Sequence, residues 1–286
     1  MAVVGTQTRT RSQAPWAYFT LCPFSQVAIR VMKLVNNEET PFNEISRLIS
    51  SDPAFASEVL KISNSLWYAP RVPAVSIFQA VSRIGARNLQ GLCLTVAMRS
   101  FLGDSMSRPV MRDMWRHNLA CAFISEELAI YGGLDKEIAF TGGVLHDVGR
   151  LALAVLQPKE YVHLLGTHKG SAAGILTAER ETFGFDHCDV GARLVSEWNL
   201  PAIFEAIVAD HHSPRTCCHG WDTSDVVRLS CRMADAIGFP AFQGMETAPY
   251  DKLLEELPAL DEDGGYPEQH VLATEVRAKI EAVEAI

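Results

Sequence analysis

Apolar residues recur at intervals of three and four along most of this chain, and that spacing is the strongest constraint on its fold. Val27, Val31, Leu34 and Val35 share one helical face, as do Ile45, Leu48 and Ile49, and then Phe55, Val59, Leu60 and Ile62. The first of these helices is expected to end near Asn36–Asn37. Turn-forming residues separate them: Ser51-Asp52-Pro53, the segment from Ala69-Pro70 to Pro73, and Gly85. Runs that alternate apolar and polar residues, as a half-buried strand requires, are scarce. No G-x-G-x-x-G or G-x-x-x-x-G-K-[ST] phosphate loop occurs. The pattern predicts an all-α protein.

The chain has enough apolar material to bury those faces: 286 residues, 48% hydrophobic and 21% charged, suffice for one large domain or two ordinary ones. Its 34 acidic against 25 basic residues leave a net charge of −9, which disfavours a non-specific grip on nucleic-acid phosphates. Only Arg83, Arg87 and Arg99 offer positive charge around the helix pair at Gly85, so DNA binding there is disfavoured as well. The longest apolar stretches, Gly91–Met98 and Leu151–Leu156, fall far short of the roughly 18 residues of a membrane span. The first fourteen residues contain no apolar core of a signal peptide. Seven cysteines without framework spacing, among them Cys93 and Cys121 in apolar helical context, read as reduced thiols of a cytoplasmic protein. A zinc site on Cys217 and Cys218 would lack any C-x-x-C pair.

Histidine divides the chain at a loop, Gly103 to Pro109. Residues 16–102, read as an N-terminal helical subdomain, contain none, and all nine follow the loop. The first part is therefore expected to serve partner recognition, with Asn64 and Ser65 as capping or turn residues. Residues 110–245 form the second unit. Residues 246–286 add an acidic, proline-bearing linker from Ala248 to Pro267 and a last amphipathic helix carrying Val271, Val276, Ile280 and Val283.

Within the second unit, His146 and Asp147 lie in the segment Phe140-Thr-Gly-Gly-Val-Leu-His-Asp-Val-Gly-Arg150, which is apolar on every side and so reads as a buried helix. A buried carboxylate needs a partner or a metal. Arg150, one turn on, is one such partner, and a protonated Asp147 is another solution. Gly142, Gly143 and Gly149 cost helix stability unless backbones pack closely there. Asp113 and His117 share a helix face, His187 opens an inward-facing helix, His211-His212 follow an apolar run, and Asp235 lies on the apolar face of VVRLSCRMADAIG. His163, His168, His219 and His270 have no such company and read as hydrogen-bonded core residues. Imidazole and carboxylate together, with no thiolate expected among them, suit Fe, Mn, Zn, Co or Ni better than a structural zinc cluster.

The order His117…His146-Asp147…Asp235 resembles the metal-binding signature of the HD phosphohydrolase superfamily, and His187 with His211-His212 resembles the fuller set of HD-GYP cyclic-dinucleotide phosphodiesterases. The surrounding text is closer to the HDOD (HD-related output domain) family of bacterial signalling proteins. Ser51-Asp52-Pro53-Ala54-Phe55, Lys61-Ile-Ser-Asn-Ser65, Ala80-Val-Ser-Arg-Ile-Gly85 and Trp198-Asn-Leu-Pro201 carry that likeness over residues ~20–240. It implies an HD-type helical bundle preceded by an N-terminal helical subdomain.

Two functions follow from the resemblance. One is a regulatory module of bacterial signal transduction that binds a signalling protein or a small phosphorylated ligand and retains a metal site. The other is a metal-dependent phosphohydrolase, a phosphodiesterase or nucleotide phosphatase, in which a mono- or dinuclear centre acidifies water. The implied ligands are Asp113, His117, His146, Asp147, His187, His211, His212 and Asp235, with Arg150 as the phosphate contact. Two departures matter. The stretch directly after His211-His212, Ser213-Pro-Arg-Thr-Cys-Cys-His-Gly-Trp-Asp222, has no Gly-Tyr-Pro segment, and Arg150 stands where the phosphodiesterases usually have lysine, which excludes the proton donation a desolvated lysine can make.

Overall fold

The computed structural model describes residues 25–35, 39–65, 68, 70–168, 170–214, 220–258 and 266–285, with the side chains of residues 86 and 87 left aside. The expected helix end at Asn36–Asn37, the Cys217–Cys218 pair, His219 and the acids at 261–263 lie outside the described residues.

The regular structure of those residues is helical, and their only β pairing is an isolated bridge between Gly170 and Met245. Five helices come first: α1 (Gln26–Val35), α2 (Phe42–Ser50), α3 (Pro53–Ser63), α4 (Ile77–Ile84) and α5 (Ala86–Leu102). Their inward faces follow the apolar spacing: Val31 and Val35, Ile45 and Ile49, Phe55, Val59 and Ile62 are buried. Asp52 starts α3 by accepting from the amides of Ala54 and Phe55, with Pro53 at the first helical position. Asn64 ends it and does more than cap. Its side chain donates to the Ala74 carbonyl at 2.9 Å and accepts from the Ala74 amide at 2.7 Å, tying α3 to the segment before α4. Gly85, at φ 78°, lets α4 turn directly into α5.

The predicted loop at Gly103 is instead a short 3₁₀ helix, Gly103–Ser107. Then come α6 (Pro109–Tyr131), α7 (Lys136–Leu145), α8 (Val148–Leu156), α9 (Pro158–Thr167), α10 (Ala172–Phe183), α11 (His187–Glu197), α12 (Ala202–Asp210) and α13 (Thr223–Ala236). The centre of this part is α6 packed on α7 and α13, with α8, α11 and α12 beside them. α5 packs on α1 and α3 on one side and on α7 on the other, so one continuous core runs through the chain. The stretch Lys136–Leu156 is long and apolar enough to cross a membrane by composition, and 89% of its apolar 18-residue window is buried in that core.

α14 (Tyr250–Leu254) and α15 (Gln269–Glu284) follow, and α15 lies against α6. Its buried face matches expectation at Val276, Ile280 and Val283 and differs at the first position. Leu272, Val276, Ile280 and Val283 are buried, whereas Val271 is 38% exposed. Positions 272, 276, 280 and 283 follow the period of 3.6 over three turns, which 271 does not join.

Candidate metal centre

Three of the helices that build the site, α7, α11 and α13, start at side-chain caps. Asp135 starts α7, Asp186 starts α11 through a capping box with Asp189, and Asp222 starts α13. Pro109 occupies the first turn of α6. His117 is on α6, His146 ends α7, His187 opens α11, His211 ends α12, and Cys231 and Asp235 lie one turn apart on α13.

The segment expected to be one buried helix is divided at His146–Asp147. Asp147 precedes α8 with φ −105° and ψ 21° and makes no cap hydrogen bond, so its carboxylate is free to turn into the core. The glycines account for how close the partners come. A Cβ on Gly143 would lie 2.5 Å from the Ala122 Cα, and one on Gly149 would overlap the His187 carbonyl oxygen. Backbone thus meets backbone between α7 and α6, and between α8 and α11. Those approaches bring His146 to His117 and Asp147 to His187.

Four imidazoles are anchored at Nδ1 and present Nε2 toward Asp147. His117, His146 and His211 reach the carbonyls of Phe239, Gly143 and Val208, each at 2.8 Å, and His187 reaches the Glu179 carboxylate at 2.6 Å. A carbonyl only accepts, so these Nδ1 atoms carry the hydrogen and a neutral ring leaves its lone pair on Nε2. Such anchoring is how histidines are oriented toward metals. His117 Nε2 is 3.2 Å from His146 Nε2 and 3.5 Å from Cys231 Sγ, and Asp147 Oδ2 is 3.9 Å from both Nε2 atoms. Donors bonded at ~2.1 Å to one tetrahedral ion lie about 3.4 Å apart. The observed separations bracket that value, so these residues fit a transition metal.

On the other side, Asp147 Oδ1 is 3.2 Å from the Nε2 atoms of both His187 and His211. Arg150 is also here, 1% exposed, with Nε 2.7 Å from Asp147 Oδ2 and Nη2 3.1 Å and 3.4 Å from the Nε2 atoms of His187 and His212. Phe242 covers the guanidinium face at 5.6 Å.

Charge follows placement. Burial alone would raise the Asp147 pKa, but Arg150, then His146 and His187, hold it well below the usual carboxylate range. Burial pushes His146 well below the ordinary histidine value, and does the same to His212 with help from His211 and His187. His187 is opposed by burial and Arg150 yet is raised by Glu179, Cys188 and Asp147. Burial lifts the Asp235 carboxyl to about 6.

Two of the predicted ligands stand apart from the convergent donors. Asp235 Oδ1 meets His117 at Nδ1, 3.3 Å away, on the side of the ring opposite the cluster. Asp113 is half-exposed one turn before His117, and its charge acts on Arg116. His163 and His270 are exposed rather than core residues, because their helix faces turn outward, and His168 is half-buried against Phe242.

Sequence reasoning missed two residues. Cys231 brings the thiol group that was not expected, and its only signal was the apolar face it shares with Asp235. Glu179 is fully buried, accepts from the Tyr161 hydroxyl at 2.6 Å and from the His187 backbone amide at 2.9 Å, and bonds His187 Nδ1. Although burial opposes ionisation, His187 and Arg150 hold Glu179 down to about 2. A place four residues after buried Ile175 was the signal that could have found it.

Residues 21–214 match the HDOD domain. The chain belongs to the HDOD family. An HDOD domain protein of unknown function from Geobacter sulfurreducens has a similar structure, with a TM-score of 0.68 and 20% identity over 93% of this chain and 91% of that one. So has a proposed phosphohydrolase from Shewanella amazonensis SB2B, with a TM-score of 0.68 and 20% identity, covering 92% and 93% of the two chains. At these identities the likeness is one of fold, the all-α HD-type bundle that the motifs implied. An uncharacterized protein of Treponema pallidum (strain Nichols) is 24% identical over 189 residues, which is 65% of this chain and 36% of that protein. The HDOD chain thus spans about a third of that relative's length.

Proposed function

We propose that this HDOD protein is a regulatory module of bacterial signal transduction whose buried histidine–aspartate core binds a divalent transition metal. The observation that carries the reading is the common orientation of four imidazoles, each tied at Nδ1 and aimed by Nε2 at one carboxylate. His117, His146 and Cys231 converge closely enough to hold one ion, and Asp147 Oδ2, 3.9 Å from both imidazole Nε2 atoms, would join them. An ion bound there supplies Lewis acidity toward a phosphoryl oxygen and acidifies water.

A cleft of about 550 Å³ leads to this core and supports recognition of a phosphorylated small ligand. His211, His212, Cys231 and Asp235 line its floor, and Arg228 and Arg232 line its wall. Arg228 is held by Asp225 and Arg232 by Glu256, so both guanidiniums are pre-positioned and keep donors free for an anion. The described cysteines at 93, 121, 188 and 231 are free and buried, which supports a reducing, cytoplasmic setting.

The same cleft favours a second reading, a metal-dependent phosphohydrolase, because it would let a phosphoester approach the ion. Metal-loaded protein incubated with nucleotides and cyclic dinucleotides separates the two. The module reading expects saturable binding with the ligand recovered intact. Stoichiometric, repeated product release that is lost in His146→Ala would replace it with the enzyme.

A further inference from the structure

We propose that the centre is built for one metal ion, on the His117–His146 side of Asp147, and that the Arg150 guanidinium takes the place of a second ion on the other side. This rests on the metal reading above and adds nuclearity to it. In a two-ion centre a shared carboxylate bridges ions about 3.5–4 Å apart. Asp147 has the position of such a bridge, because Oδ2 faces His117 and His146 while Oδ1 faces His187 and His211.

The second half is already filled. Arg150 Nη2 lies 3.1 Å from His187 Nε2 and 3.4 Å from His212 Nε2, where an ion would need both lone pairs. His187 has no spare nitrogen, since Nδ1 is engaged by Glu179 at 2.6 Å. In either protonation state its Nε2 is taken, accepting from Arg150 or donating to Asp147 Oδ1 at 3.2 Å. The guanidinium is fixed as well as charged: Nε holds Asp147 Oδ2 at 2.7 Å, Nη1 faces Glu179 at 3.9 Å, and Phe242 covers the plane. An arginine does not shed its proton at any physiological pH, so this cation is permanent. A second dication would have to displace a buried side chain and leave its charge unpaired. The His117–His146 half holds no guanidinium between its donors: its facing groups are two imidazoles, a thiol and Asp147 Oδ2, which accepts from Arg150 Nε and keeps a second lone pair for an ion.

The test is metal stoichiometry and spin coupling in the full chain, reconstituted with excess Mn(II) and desalted. Wild type is expected to carry one ion per chain with the electron paramagnetic resonance spectrum of an isolated Mn(II). Arg150→Gln, which keeps hydrogen-bonding capacity but drops the charge, is expected to carry two ions and show an exchange-coupled pair. Arg150→Lys, still cationic, is expected to stay at one. A coupled pair in wild type overturns the proposal whether or not the variants fold. So does a folded Arg150→Gln, judged by circular dichroism, that still binds one ion. Absence of stoichiometric Mn, Fe, Co, Ni and Zn from wild type overturns the metal reading itself, and the proposal with it.

Discussion

The Nε2 atoms of His117 and His146 face one another across 3.2 Å, while each ring donates from Nδ1 to a backbone carbonyl. Two neutral imidazoles anchored in this way point lone pair at lone pair. Neither can relieve the repulsion by donating, so a cation between them is the natural resolution. Burial lowers the His146 pKa well below its ordinary value, which makes a metal ion a better occupant than a proton.

The first expected outcome is therefore loss of metal on His146→Ala. Elemental analysis should fall from stoichiometric to background. Chelation should lower the melting temperature of wild type and leave that of the variant unchanged. At a free metal concentration of 100 times Kd the ion contributes about 2.7 kcal/mol of stability to wild type. Equal chelator sensitivity in both proteins would contradict this.

Glycine substitutions should rank by what the new methyl group meets. At Gly149 and Gly143 it meets the backbone of His187 and of Ala122, which cannot step aside. At Gly142 it meets chiefly the Ile207 Cδ1 at 2.9 Å, the far end of a flexible side chain. Gly149→Ala and Gly143→Ala should each cost more than ~3 kcal/mol of overpacking strain in urea unfolding, and Gly142→Ala about 1 kcal/mol or less. Similar costs at all three positions would refute the close approach of α8 to α11 and of α7 to α6.

Glu126, away from the metal centre, should give a pH-dependent signature. Burial raises its pKa against the pull of Lys279 and Lys136, so the folded state binds its proton more tightly than the unfolded chain does. Ionised Glu126 then opposes folding above its folded pKa, and the penalty disappears as pH falls to the unfolded value of ~4.3. Glu126→Gln should raise the melting temperature at pH 7 and make no difference at pH 3.5. A constant difference across that range would contradict the shift.

The register of α15 is checked by two neighbouring residues. Leu272→Ala should destabilise by about 2–4 kcal/mol, as buried truncations do. Val271→Ala, at an exposed position, should stay within ~0.5 kcal/mol. Denaturant melts of the two variants decide the register.

By itself the sequence determined the helices and their caps, because both depend on contacts a few residues apart. Asp52, Asp135, Asp186 and Asp222 start their helices from side chains two or three residues from the amides they cap. It also marked His146–Asp147, since an ionisable pair in an apolar segment is legible without a fold. Which groups meet at that pair was decided by tertiary structure. Cys231 lies 114 residues from His117, and Glu179 had to be placed by α10 before its bond to His187 existed. The same holds for Asp235, which shares a face with Cys231 yet meets the opposite edge of the His117 ring. Helical periodicity fixes the face on which a side chain emerges. It does not fix which atom of a distant residue that side chain will touch, because the close packing of α6, α7, α8, α11 and α13 sets those last few ångströms.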